Sequence, residues 1–183
     1  MKEGFVVQRT TNKNDEYYTP AYAVKPILKY LKPESVILCP FDTKQSEFVK
    51  LLKREGHTVY YSHIDLGMDF FDYTKDFMVE NKIDYIISNP PFSQKNEVFE
   101  HLYKLETPFA MLIGVVGLFE SQRRFEMFKN NKFEIMYLNK RVSFFSSHDS
   151  EKPDANPPFS SVYLTSNVLP QQIVFETIDK NDY

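Results

Sequence analysis

One cysteine, Cys39, no tryptophan and only five glycines stand among 183 residues. A lone cysteine excludes an internal disulfide framework and any multi-cysteine zinc cluster. No run approaches 18 consecutive apolar residues, which excludes a helical membrane span. The opening Met1-Lys2-Glu3-Gly4 carries no apolar signal core, and the reading is a soluble, cytoplasmic protein with no membrane partner. An excess of positive charge is missing too: 22 Lys and Arg against 25 Asp and Glu leave a net charge of -3. That argues against sequence-blind clamping of a phosphate backbone, while a brief encounter through one local patch stays open. His57, His101 and His148 have no partners at metal-ligand spacing, so no metal is expected.

What is present is an ordinary globular balance, with 42% hydrophobic and 26% charged residues. A chain of this size can bury roughly 70% of its unfolded surface, enough for one domain without staples. The expectation is a single domain over 1–183, with 1–18 partly flexible and no separate target-recognition domain. Phe (17) and Tyr (12) suit core packing and base stacking equally well.

Thr19-Pro20 offers an N-cap and a proline where no amide donor is needed, ahead of Val24, Ile27, Leu28 and Leu31 at helical spacing. Pro26 predicts a kink or a late start, and Pro33 closes the helix. Further helices are predicted over 47–54, opened by Ser46 and ended by Gly56, and over 74–81, 97–105 and 122–130. Strands are predicted at 35–38, 58–62, 84–88, 109–116, 133–138 and 161–165. This alternation predicts an α/β fold with a doubly wound, mostly parallel sheet. In such sheets ligands sit beyond the carboxyl ends of the strands, so the loops after Leu38, Ser62 and Ser88 are where chemistry is sought.

Asn89-Pro90-Pro91-Phe92 follows the third strand. Two successive prolines keep Asn89 and Pro90 extended and stiff. The loop then presents the Asn89 side chain and the Pro90 carbonyl as fixed acceptors for a conjugated amino group, with Phe92 free to stack on a base swung out of its strand. The plainer alternative is a strand-ending turn. The same tetrapeptide recurs as Asn156-Pro157-Pro158-Phe159, where a polar stretch precedes it and a loop entering a strand is the reading.

Asp84-Tyr85-Ile86-Ile87-Ser88-Asn89-Pro90-Pro91-Phe92 resembles the catalytic motif of S-adenosylmethionine-dependent amino-group methyltransferases, especially the adenine-N6 group. Asp15-Glu16-Tyr17-Tyr18-Thr19-Pro20 resembles the N-terminal motif of the DNA adenine methyltransferases. The motif order is similar to that of one of their subgroups, and the resemblance spans about 15–145. It implies a Rossmann-like methyltransferase sheet, S-adenosylmethionine as cofactor and methyl transfer to adenine N6 in DNA. Asn89, Pro90, Pro91 and Phe92 would be the catalytic residues, and Tyr18, Thr19 and Pro20 would hold the methionine part of the cofactor.

The chain departs from that family at the first strand, where an acid followed by Pro-Phe and a glycine loop is expected. Here Cys39-Pro40-Phe41-Asp42 holds a thiol in the acid's place, with Thr43 and Gln45 in place of glycines. Either Asp42 is the displaced acid or cofactor binding is weakened; Cys39 also reads as a small buried apolar residue. After the second strand His63 and Asp65 are the candidates for cofactor contact, with a structural role for the histidine as the alternative. Asp69-Phe70-Phe71 is similar to the motif in which an acid meets the cofactor's adenine amino group and an aromatic lines its ring; a capping acid with two core phenylalanines reads equally well. The one basic cluster, Gln122-Arg123-Arg124 through Lys132 with Lys140-Arg141, is a solvated face or a phosphate contact.

Nucleic acid, DNA rather than RNA, is therefore the expected partner. Sequence recognition would fall to short loops such as 143–160, to a homodimer partner or to another subunit. RNA adenine or guanine methylation, protein glutamine methylation and a methyltransferase-shaped binding module that has lost cofactor chemistry remain the alternatives.

Overall fold

The computed structural model describes residues 17–147, 150–153 and 155–181, so Asp15, Glu16 and His148 lie outside the described residues. Among the described residues seven strands form one sheet in the order β2-β1-β3-β4-β6-β5-β7. They are β1 (Val36–Cys39), β2 (Thr58–Tyr61), β3 (Tyr85–Ser88), β4 (Phe109–Gly114), β5 (Glu134–Leu138), β6 (Ser161–Ser166) and β7 (Ile173–Glu176). All pairings are parallel except those of β6, which runs against both β4 and β5. The helices are α1 (Ala21–Leu28), α2 (Glu47–Arg54), α3 (Lys75–Glu80), α4 (Lys95–Leu105) and α5 (Gln122–Asn130). The mostly parallel α/β architecture expected from the alternation is present, and no described helix is long and apolar enough to cross a membrane.

Alternation along the strands divides the apolar side chains between two cores. Ile37, Cys39, Tyr85, Ile87, Ala110, Leu112 and Tyr163 face the layer holding α1 and α2. Leu38, Ile86, Phe109, Met111, Ile113, Val162 and Leu164 face the layer holding Met78 of α3, Val98, Phe99 and Leu102 of α4, and Met127 and Phe128 of α5. Burial on both faces is what a central parallel strand requires. Asp84 pins the start of two strands: its amide donates to the Val36 carbonyl and its Oδ2 accepts the Val36 amide, each at 2.8 Å.

Several boundaries differ from the sequence expectations for local reasons. Pro26 lies inside α1 without delaying its start, and Leu31 falls beyond the helix end, its amide bonded to the Leu28 carbonyl at 3.1 Å. Helix α4 begins at Lys95, two residues earlier than predicted, because a short 3-10 turn over Phe92–Gln94 feeds directly into it. Strand β7 has no counterpart among the predicted strands. It lies at the sheet edge with Ile173 and Phe175 outward, so only Val174 among its apolar residues is buried.

The chain winds from β1 to β2 on one side and then crosses to β3 on the other. The strand order therefore reverses between β1 and β3, and a crevice opens beyond their carboxyl ends at such a reversal.

Candidate active site

A cleft of about 200 Å³ occupies that crevice. Its walls are Pro40, Phe41 and Asp42 after β1, His63 and Ile64 after β2, and Asn89 and Pro91 after β3. Tyr17, Tyr18 and Thr19 close one side, and Met68 to Phe71 another. Phe145, Ser147 and Ser150 reach it from the loop before β6. Sequence does not single out Glu47, Lys50, Met68 and Gln94, because chain folding and no motif brings them here.

Tyr18 is placed by main-chain pairing. Its amide donates to the Phe145 carbonyl at 3.0 Å, and the Phe145 amide donates back at 2.9 Å. Phe144 and Ala155 exchange a second such pair. Just before this bridge, the Tyr17 carbonyl accepts the Asn89 side-chain Nδ2–H at 3.0 Å. A carbonyl can only accept, so this contact fixes which way the Asn89 amide faces. Its Oδ1 is buried with no hydrogen-bond partner among the described residues. The Thr19 hydroxyl in the same wall is likewise buried without one. Unpaired buried polar atoms are uncommon, and these two leave hydrogen-bonding capacity unused in one cleft wall.

Asp42 sits in the wall almost fully buried, taking hydroxyl hydrogen bonds from Ser46 and Ser88. Burial pushes its carboxyl up to about 6, and the two hydroxyls and nearby His63 only partly counter that rise. The Ser46 hydroxyl is spent on this acid, so α2 starts without the side-chain cap its sequence suggested. The loop between them, lacking glycine, closes on itself: Thr43 Oγ1 accepts the Gln45 amide at 3.3 Å and donates to Gln45 Oε1 at 3.0 Å.

The remaining predicted residues are not all at the cleft surface. Cys39 is fully buried in the α1/α2 core and faces away from the cleft; burial and the Asp42 charge push its thiol well up. Pro20 and Pro90 are buried behind the wall. Asp65 is exposed on a 3-10 turn over Ile64–Leu66 and does not line the cleft. His63 Nδ1 accepts the Asp65 amide at 3.2 Å, with the Asp65 carboxylate 3.3 Å from the same nitrogen. One nitrogen cannot accept that amide and donate to the carboxylate as well; the amide bond closes the turn and is the one we assign. Asp69 lines the cleft, and its Oδ1 caps the Phe71 amide at 3.0 Å. Phe70 packs 4.9 Å from Phe41 and 5.5 Å from Phe71, measured between ring centroids, so an aromatic shelf lies beside that acid. The capping and lining roles of Asp69-Phe70-Phe71 thus coexist.

Phe92 differs most from expectation. Its ring is not open to the cleft but lies 5.5 Å from Tyr17, 6.4 Å from Phe144 and 5.3 Å from Phe159. An apolar ring gains more by joining such a cluster than by facing water. The basic cluster is also mostly spent within the chain. Arg123 pairs with Glu97 and Glu100, and Arg124 holds the Gly117 and Leu118 carbonyls and Asn96. Lys132 lies 3.2 Å from the buried Glu134. Lys140 and Arg141 are exposed.

The chain matches no protein-family model, and no curated protein matches it.

Proposed function

We propose that the cleft transfers a methyl group from S-adenosylmethionine to the N6 amino group of adenine in DNA, on a Rossmann-like methyltransferase scaffold. The observation that carries this reading is the Asn89 side chain, whose amide is turned by the Tyr17 carbonyl so that a buried Oδ1 is left without a donor among the described residues. A purine amino group supplies the missing donor. Its nitrogen is a poor nucleophile because the lone pair is delocalised into the ring. Asn89 Oδ1, taking one of its hydrogens, favours a pyramidal nitrogen and directs the lone pair toward the incoming methyl carbon; Pro90, expected from the sequence as the second acceptor, is buried and does not line the cleft. The prolines hold the Asn89 acceptor in place before substrate arrives, so little reorganisation is needed.

The residues present fit the cofactor. The unpaired Thr19 hydroxyl and the Asp42 acid offer polar partners for its methionine part, and Phe41, Phe70 and Phe71 an apolar slot for its adenine, edged by Asp69. Bound there, the cofactor would supply a methyl carbon made electrophilic by its sulfonium sulfur, which would keep the bonding electron pair as the leaving group. The nitrogen then sheds a proton to water, so the chain needs no general base. Phe92 acts from behind the loop, keyed among the aromatic rings.

Asn89→Ala is expected to abolish transfer while leaving cofactor affinity nearly unchanged; equal loss of both contradicts the assigned role. Labelled-methyl transfer to DNA, RNA and protein pools in parallel tests the substrate class. One observation favours a second reading, a binding module without catalysis: Asp42 and the Thr43–Gln45 turn are already satisfied by their own neighbours. Titration calorimetry with S-adenosylmethionine separates the two, since micromolar affinity supports the enzyme and no binding at millimolar cofactor supports the module.

A further inference from the structure

The two copies of Asn-Pro-Pro-Phe, 67 positions apart in sequence, meet in space. The Phe159 ring stands edge-on to Phe92 at 82° with centroids 5.3 Å apart. Beneath it lies Gly114, the last residue of β4, where an added Cβ would fall 2.7 Å from two carbons of the Phe159 ring. Real Cβ atoms do not approach so closely, so the ring occupies the space that any other residue at 114 would fill. The main chain locks this arrangement: Gly114 pairs with Ser161, and the Val115 amide donates to the Ser160 carbonyl at 2.9 Å. From the other side Lys95 Nζ reaches the Gly114 and Val116 carbonyls at 3.2 and 3.3 Å, and stands 5.9 Å from the Phe92 centroid.

We infer that Phe159, seated on Gly114, is a positioning residue for the catalytic tetrapeptide. Phe92 begins the 3-10 turn directly after Asn89-Pro90-Pro91, so a ring fixed at 92 fixes the exit of the loop that carries the acceptor. Tyr17 and Phe144 restrain the same ring on other sides, and Phe159 is the restraint contributed by the segment entering β6. The second tetrapeptide is thus a brace for the first. This inference deepens the proposed function and rests on it only for the catalytic readout.

The test uses Gly114→Ala, Phe159→Ala, the double variant and Phe159→Tyr in the full-length chain, with two readouts. Amide hydrogen exchange at Gln94 and Lys95 needs no activity. It should quicken in Gly114→Ala and Phe159→Ala, stay near wild type in Phe159→Tyr, and show no further effect of Gly114→Ala once Phe159 is absent, because the clash has gone. In methyl transfer, kcat should fall about 10- to 100-fold in both single variants with KM for the cofactor unchanged, the size expected for sub-ångström to 1 Å misplacement of a reacting group. Unchanged exchange in a folded Phe159→Ala, or additive effects in the double variant, overturns the brace. If wild type transfers no methyl group, the proposed function fails, and the exchange cycle still decides the brace.

Discussion

Replacing Asp42 by asparagine removes a charge from the interior while keeping the side chain's shape. In the folded protein the carboxyl titrates at about 6, against an ordinary 3.8. A raised native pKa means that the folded state holds this proton more tightly than the unfolded chain does. Burial of the group therefore costs nothing on this account below pH 3.8, and stability is lost as pH climbs through 6. The shift is about two pH units at 1.36 kcal/mol each, or about 3 kcal/mol once the carboxylate is fully ionised. Urea unfolding of wild type and Asp42→Asn between pH 4 and 8 measures it, because effects of other groups cancel in the difference. Across that range the stability gap should move by about 2.4 kcal/mol in favour of the variant, the unfolded carboxyl being already partly ionised at pH 4. A gap that stays constant, or a carbon-13 titration placing the Asp42 carboxyl near pH 4, refutes the picture of a buried acid held only by two serine hydroxyls. Under the proposed function, a cationic ligand in the cleft stabilises the ionised form, so S-adenosylmethionine should bind more tightly as pH rises through 6 and should lower the carboxyl's titration midpoint.

Thr19→Val removes a hydroxyl that has no partner among the described residues, so stability should stay within about 0.5 kcal/mol of wild type while, under the proposed function, S-adenosylmethionine affinity should drop about tenfold, read by chemical unfolding and calorimetry. Glu134→Ala should cost about 3 kcal/mol or more in urea unfolding, since the buried carboxylate takes the Thr165 hydroxyl and the Asn167, Val168 and Leu169 amides. Burial raises the Glu134 carboxyl's pKa, but those bonds and Lys132 outweigh it and leave the group below its usual 4.5; its contribution is therefore present above pH 4.5 and fades as pH falls further, a trend that Glu134→Gln should lack. Tyr163→Phe breaks the buried bond from its hydroxyl to the Ala23 carbonyl, which ties β6 to α1, and should cost about 1 kcal/mol by thermal unfolding.

The cleft is legible in the sequence where local chemistry dictates geometry. Ser-Asn-Pro-Pro after an apolar run both ends a strand and stiffens the loop beyond it, and the acid at 42 sits one short loop past a strand. Helix α2 is readable to its bounds because Ser46 and Gly56 frame a clear apolar stripe. Phe92 defeats a local reading because the rings that surround it come from residues 17, 144 and 159, and no local pattern announces a tertiary cluster. Ser46 reads as a cap in any sequence; only folding shows that its hydroxyl faces Asp42. β7 escapes because an edge strand with one buried apolar side chain carries little periodic signal.

The lone reversed strand has a consequence for where new chemistry can be added. A parallel strand delivers its exit to the working rim and hides its entrance at the far end of the sheet. β6 does the opposite, so the segment before it, not the one after it, arrives beside Asn89. Insertions or exchanges in the segment that enters β6 would therefore remodel the mouth of the cleft, whereas changes in the 167–172 connection between β6 and β7 would fall at the opposite pole.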